Sequence, residues 1–187
     1  TEMAEGSRVM VQGEAGAGKS TLLKRMAYDW ARGELWKGRF DALVHMRLRD
    51  VQHKESLEGM LMHYFEYDEG KRSTVRAFLK WCNENSDRVV WLLDGWDEVE
   101  VRGGLQRIAD GQEKRVEWMV AGTRPEAAGR IGKCRTKLEV KGFSRERVGS
   151  FVERYFGYNG RTYALLGCLR SWSLLYRCRE LRERVAG

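Results

Sequence analysis

Gly13-Glu14-Ala15-Gly16-Ala17-Gly18-Lys19-Ser20 follows the pattern G-x-x-x-x-G-K-[ST], the phosphate-binding loop known as Walker A. The spacing has a chemical reason. Glycines let the backbone turn so that successive N–H groups face phosphate oxygens. Lys19 can place its ammonium on the β- and γ-phosphates, and Ser20 can offer a hydroxyl to Mg²⁺. Such a loop must open a helix, whose N-terminus adds donors and a dipole to the anion site, so Thr21 joins the binding stretch. The flanks agree. Arg8 to Gln12 reads as a short buried strand, and Leu22, Leu23, Met26, Ala27 and Trp30 fall on one helical face.

The second half of such a site is expected near Val89-Val90-Trp91-Leu92-Leu93-Asp94. An apolar strand ending in an aspartate delivers a carboxylate to the C-terminal edge of a parallel sheet, where open α/β sheets bind ligands. Asp94 is therefore the expected Mg²⁺ residue, in the position called Walker B. Asp97 and Glu98 follow on the loop, and either can orient a water for in-line attack on a γ-phosphate. The length of chain between Lys19 and Asp94 suits P-loop ATPases with an extra strand between the two motif strands. The following strand ends in Gly122-Thr123-Arg124-Pro125, which puts Arg124 in the position called sensor 1. It reads either as a reporter of the third phosphate or as a surface arginine held by the proline.

Between these motifs the pattern alternates. Phe40–Leu48 reads as a strand. A helix starting at Ser56 carries Leu57, Met60, Leu61 and Tyr64, and Tyr67 to Lys71 is a polar break. Ser73 reads as the cap of a helix with Val75, Phe78, Leu79 and Cys82 inward. Val116–Ala121 and Lys137–Val140 complete about five strands, the mark of a doubly wound parallel sheet. Gly142 and Ser144 end the alternation. Val148, Phe151, Val152, Tyr155 and Phe156 then share one helical face, and Leu165 to Tyr176 suggests a second helix. The expectation is a nucleotide-binding domain over residues 1–142 and an all-helical appendage over 143–187, able to swing about Gly142.

Taken together, Gly13 to Ser20, Asp94-Gly95-Trp96-Asp97-Glu98, Thr123-Arg124-Pro125 and Gly142-Phe143-Ser144 resemble the NACHT domain of NOD-like receptors, a branch of the STAND signalling ATPases. The D-G-x-D-E form is the most specific of these, and the resemblance covers nearly the whole chain. It implies an oligomerising switch operated by ATP, ADP and Mg²⁺, with slow hydrolysis. It also implies self-association through this domain, and effector and sensor domains elsewhere in a longer protein. The chain departs from the pattern in two places. No proline follows Pro125, where the family's helical part carries one against adenine, and Gly122 stands where threonine is frequent.

Composition sets the remaining bounds. The 187 residues are 42% hydrophobic and 33% charged, an ordinary globular balance with core enough for one domain and a small appendage. No apolar run reaches the roughly 18–20 residues of a membrane helix. Threonine at residue 1 reads as the start of an excised fragment. The four cysteines form no C-x-x-C pair, and a nucleotide site points to the reducing cytoplasm, so free thiols are expected. His45, His53 and His63 are too loosely spaced for a zinc site. From Gly129 onward 14 Lys or Arg face five Glu, within a chain whose net charge is +7. That surplus permits a nucleic-acid-dependent motor. It equally describes a solvated helical surface, which is the preferred reading, with no specific nucleic-acid and no membrane partner. A module that holds nucleotide and barely hydrolyses it is the third reading.

Overall fold

The computed structural model describes residues 8–64, 71–132 and 134–142, together with 144, 147, 148 and 150. Its first element is β1 (Arg8–Gln12), followed by α1 (Lys19–Ala31), β2 (Ala42–Arg47) and a single turn α2 (Leu48–Val51). Two longer helices come next, α3 (Leu57–Tyr64) and α4 (Lys71–Glu84). Strand β3 (Val89–Asp94), helix α5 (Gly103–Ala109), β4 (Trp118–Thr123) and β5 (Thr136–Glu139) complete the set. Short 3₁₀ turns lie at Ser86–Arg88, Trp96–Glu98 and Pro125–Arg130.

All strand pairs are parallel, and the order is β2-β3-β4-β1-β5. This is the doubly wound α/β sheet of a P-loop NTPase. The strand lying between the two motif strands in the sheet is β4.

Alternation along the strands sorts the core into two layers. Met10, Val44, Met46, Trp91, Leu93, Met119 and Ala121 project to one face, under α3, α4 and α5. Val9, Val11, Val90, Leu92, Trp118 and Val120 project to the other, under α1 through Leu23. Burial on both faces explains why β3 and β4 are buried at every position. Among the described residues β5 has only β1 beside it, and its four residues are exposed.

Several expected details shift. Leu22 was expected inward with Leu23 but is 37% exposed, because the buried stripe of α1 is narrow. Ser73 lies inside α4, which already runs from Lys71. The fourth strand starts at Trp118, because Val116 closes a turn by donating its N–H to the Glu113 carbonyl at 2.9 Å. Cys82 and Cys134 are free thiols, and burial pushes the Cys82 thiol up to about 11. His45 is half-buried, and its Nε2 has no partner among the described residues.

The chain divides into two compact units, Thr1–Lys141 and Gly142–Gly187. Of the expected appendage, Arg147, Val148 and Ser150 are helical. Ser144 caps them. Its carbonyl accepts the Val148 N–H at 2.9 Å and its hydroxyl accepts the Arg147 N–H at 3.4 Å. The remainder of the first expected helix, from Phe151, and the second, Leu165 to Tyr176, lie outside the described residues, as do Cys168 and Cys178. No helix among the described residues is long and apolar enough to cross a membrane.

Candidate nucleotide-binding site

Parallel strands all end on the same edge, and register places the expected site residues there. Gln12, the last residue of β1, pairs with Thr123, the last of β4. Asp94, the last of β3, pairs with Arg47 and lies beside Gly122. The loop Gly13–Gly18 therefore leaves the sheet where the Asp94 carboxylate and the Thr123-Arg124 tip arrive.

The loop is built as its glycines require. Ala17 donates its N–H to the Glu14 carbonyl at 3.1 Å, closing a tight turn. Gly16 and Gly18 sit at φ of 76° and 102°, left-handed angles that a side chain resists. Gly18 caps α1, with Leu22 donating to its carbonyl at 2.8 Å. No acidic side chain occupies the first turn of α1, so the positive end of its dipole is left for an anion. The Lys19 ammonium bridges the Gly13 and Glu14 carbonyls, at 2.6 and 3.0 Å. Lys19 thus braces the loop it serves, a role the sequence does not reveal.

Whether these residues fit a phosphate-bound divalent cation is tested by their unsatisfied groups. Asp94 is buried, yet its carboxylate takes no hydrogen bond or ion pair among the described residues. Its oxygens are not shut off from solvent, so the carboxylate is open at the sheet edge and free to take a cation. The Ser20 hydroxyl, at the start of α1, also has no partner among the described residues. The oxygen donors expected for Mg²⁺ are therefore available, and they are of the hard type that ion takes. Gly122 matters here through its size. A Cβ at that position would lie 3.2 Å from Asp94 Oδ1 and 3.2 Å from the Leu23 methyl. Gly122→Thr is expected to displace the Asp94 carboxylate and weaken Mg²⁺-dependent nucleotide binding several-fold, read by titration at varied Mg²⁺. Unchanged Mg²⁺ dependence would show that the contact does not hold Asp94.

The acidic pair separates into two environments. Asp97 is 10% exposed, and both its oxygens are taken by one residue. Oδ1 accepts the Arg124 backbone N–H at 3.1 Å, and Oδ2 meets the Arg124 Nε at 2.9 Å. This clamp ties the turn after β3 to the turn after β4. Glu98 is more open, and its one ion-pair contact among the described residues is a long one, 3.8 Å, with the Arg49 guanidinium. The structure thus brings Asp97 and Arg124 together and leaves the Glu98 carboxylate more accessible. Arg49, on the turn after β2, was missed by sequence reasoning. Its only sequence signal is a cation just beyond a strand end. His45 lies on the Asp94 side of the sheet. Burial holds its imidazole below the usual range, and the Asp94 charge opposes that shift.

The comparisons with known proteins agree with this geometry. The human NACHT, LRR and PYD domains-containing protein 10 is 34% identical over 96 residues, half of this chain and 14% of that protein. The mouse protein of that name is 26% identical over 177 residues, 90% of this chain and 25% of that protein. Bovine nucleotide-binding oligomerization domain-containing protein 2 is 27% identical over 195 residues, 92% of this chain and 19% of that protein. The chain spans no more than a quarter of the length of these relatives. The family model for the NACHT domain matches residues 7–159. With that span, a parallel P-loop sheet and the glycine loop at its edge, the chain belongs to the NACHT domain family of the NOD-like receptors.

Proposed function

We propose that this nucleotide-binding module is an ATP/ADP switch with slow, Mg²⁺-dependent hydrolysis, working in the cytoplasm as the oligomerisation module of an innate-immune or cell-death receptor. The observation that carries the reading is the convergence on one sheet edge of a helix-opening glycine loop and the Asp94 carboxylate, which has no protein partner among the described residues. In this reading the Gly13–Gly18 amides and Lys19 hold the phosphates, while Ser20 and Asp94 hold Mg²⁺. The ion, when bound, neutralises charge on the β- and γ-phosphates. Effector and sensor segments would lie elsewhere in the longer protein, as the names and lengths of the relatives suggest.

The acidic pair supports a division of labour. Asp97 fixes Arg124 through two bonds, so Arg124 is presented at the edge in one orientation. Glu98 is the carboxylate with room to accept a hydrogen bond from a water and turn its lone pair toward phosphorus. Glu98→Gln is expected to bind ATP normally and to slow single-turnover hydrolysis by about 10²–10⁴-fold. Asp97→Asn keeps a side-chain oxygen for the Arg124 amide but loses the ion pair, so a smaller loss is expected. Wild-type turnover in the Glu98→Gln variant would remove Glu98 from the reaction. Loss of nucleotide binding in it would show that the residue acts in binding instead.

A further inference from the structure

On the opposite face of the sheet from α1, the pairing of α3 with α4 leaves a second concavity. It has a volume of about 530 Å³, and Met62 forms part of its wall. We propose that this cavity, lined by Lys54, Ser56, Glu58, His63, Arg72 and Arg76, binds a small, multiply phosphorylated anion. The proposal is independent of the nucleotide reading above.

Three sources of positive potential meet there, and one carboxylate among the described residues, Glu58, answers them. Arg72 and Arg76 stand one turn apart on α4, a like-charge spacing that is unfavourable by itself. Both point to Glu58, at 3.8 and 2.8 Å. Lys54 is half-buried, and its stem lies over the first turn of α3. A Cβ added to Gly59 would come within 3.6 Å of the Lys54 Cβ. That is the positive end of the helix dipole, where a cation is disfavoured and an anion favoured. Ser56 caps this turn, accepting the Gly59 N–H at 3.1 Å. His63 adds a titratable ring, packed edge to face on His53 at 5.1 Å between centroids. Desolvation, then the charges of Lys54 and His63, hold the His53 imidazole below its usual range.

An anion of several phosphates resolves each of these conflicts. The guanidinium forks offer paired N–H donors to phosphate oxygens, Lys54 offers a point charge, and a volume of about 530 Å³ has room for a ring-sized molecule. Inositol polyphosphates and phosphoinositide headgroups share this chemistry, one free and the other on a membrane. Glu58 is then the competitor, since it occupies both arginines.

The test is calorimetric titration of the chain at physiological salt with excess Mg-ADP, so that the phosphate loop does not compete. Inositol hexakisphosphate and vesicles of phosphatidylcholine containing phosphatidylinositol bisphosphate are the two probes. Saturable binding is expected to weaken at least about ten-fold in Arg72→Gln/Arg76→Gln, the loss of charge-assisted bonds at exposed residues. Lys54→Gln removes an independent donor and should weaken binding in the same direction. Glu58→Gln should tighten it, which a merely structural carboxylate would not do. The His53 ring protons should move toward their imidazolium positions on binding. This pattern with the soluble probe assigns a free ligand, and with vesicles alone a headgroup. Equal binding by wild type and the arginine variant overturns the proposal. So does the absence of binding, the result if Glu58 neutralises the cluster.

Discussion

Lys19→Ala is expected to lower nucleotide affinity by on the order of 10²-fold while leaving the fold intact. The lost group is a charge-assisted donor to phosphate, worth about 1.5–3 kcal/mol by itself. Loss of the brace across Gly13 and Glu14 adds a second cost, because the free loop then samples more arrangements before it can bind. Stability changes little for a specific reason. The bridge lies at a part-exposed loop, and water replaces the ammonium on both carbonyls. Displacement of a fluorescent nucleotide reads the affinity, and a thermal melt reads the fold. Unchanged affinity would refute the assignment of the site, whereas a collapsed melt would mean that the brace is structural.

Trp91→Ala should be the most damaging single change to stability, by about 3–5 kcal/mol. Trp91 lies in the middle strand of β2-β3-β4 and is fully buried among residues from both neighbouring strands. Its indole N–H also donates to the Arg115 carbonyl at 2.8 Å. Truncation therefore opens a cavity and strands an acceptor. Against a typical total of about 5–15 kcal/mol, the variant should unfold at far lower urea. A loss below about 1 kcal/mol would mean that the strand is not where the sheet register puts it.

What the sequence reveals depends on how local the cause is. β1 and β3 are legible because burial on both faces leaves an unbroken apolar run. The glycine loop is legible because its backbone angles demand particular residues at fixed spacing. Helix α5 was not, since its seven residues open with Gly103-Gly104 and no side chain caps it. It exists because Leu105, Ile108 and Ala109 pack under the sheet, a tertiary cause. The Arg124–Asp97 clamp is of the same kind. Both residues were named from motifs, but their pairing joins positions 27 apart and depends on β3 and β4 being neighbours. The same register explains why glycine serves at 122: the Asp94 side chain and Leu23 fill the space a side chain would need.

The edge strand has a mechanical consequence. Among the described residues β5 pairs only with β1, and its last residue, Glu139, stands beside Gln12. One residue further on, the Val140 N–H donates to the Gln12 carbonyl at 2.8 Å, and the Val140 carbonyl lies 2.6 Å from where a Cβ on Gly13 would be. The first compact unit ends at Lys141. Tension on the chain at that boundary therefore reaches first this hydrogen bond, the bare-backbone contact at the root of the phosphate loop and the Val140 side chain packed on the core. The exit of the unit and the entrance of its loop are one joint.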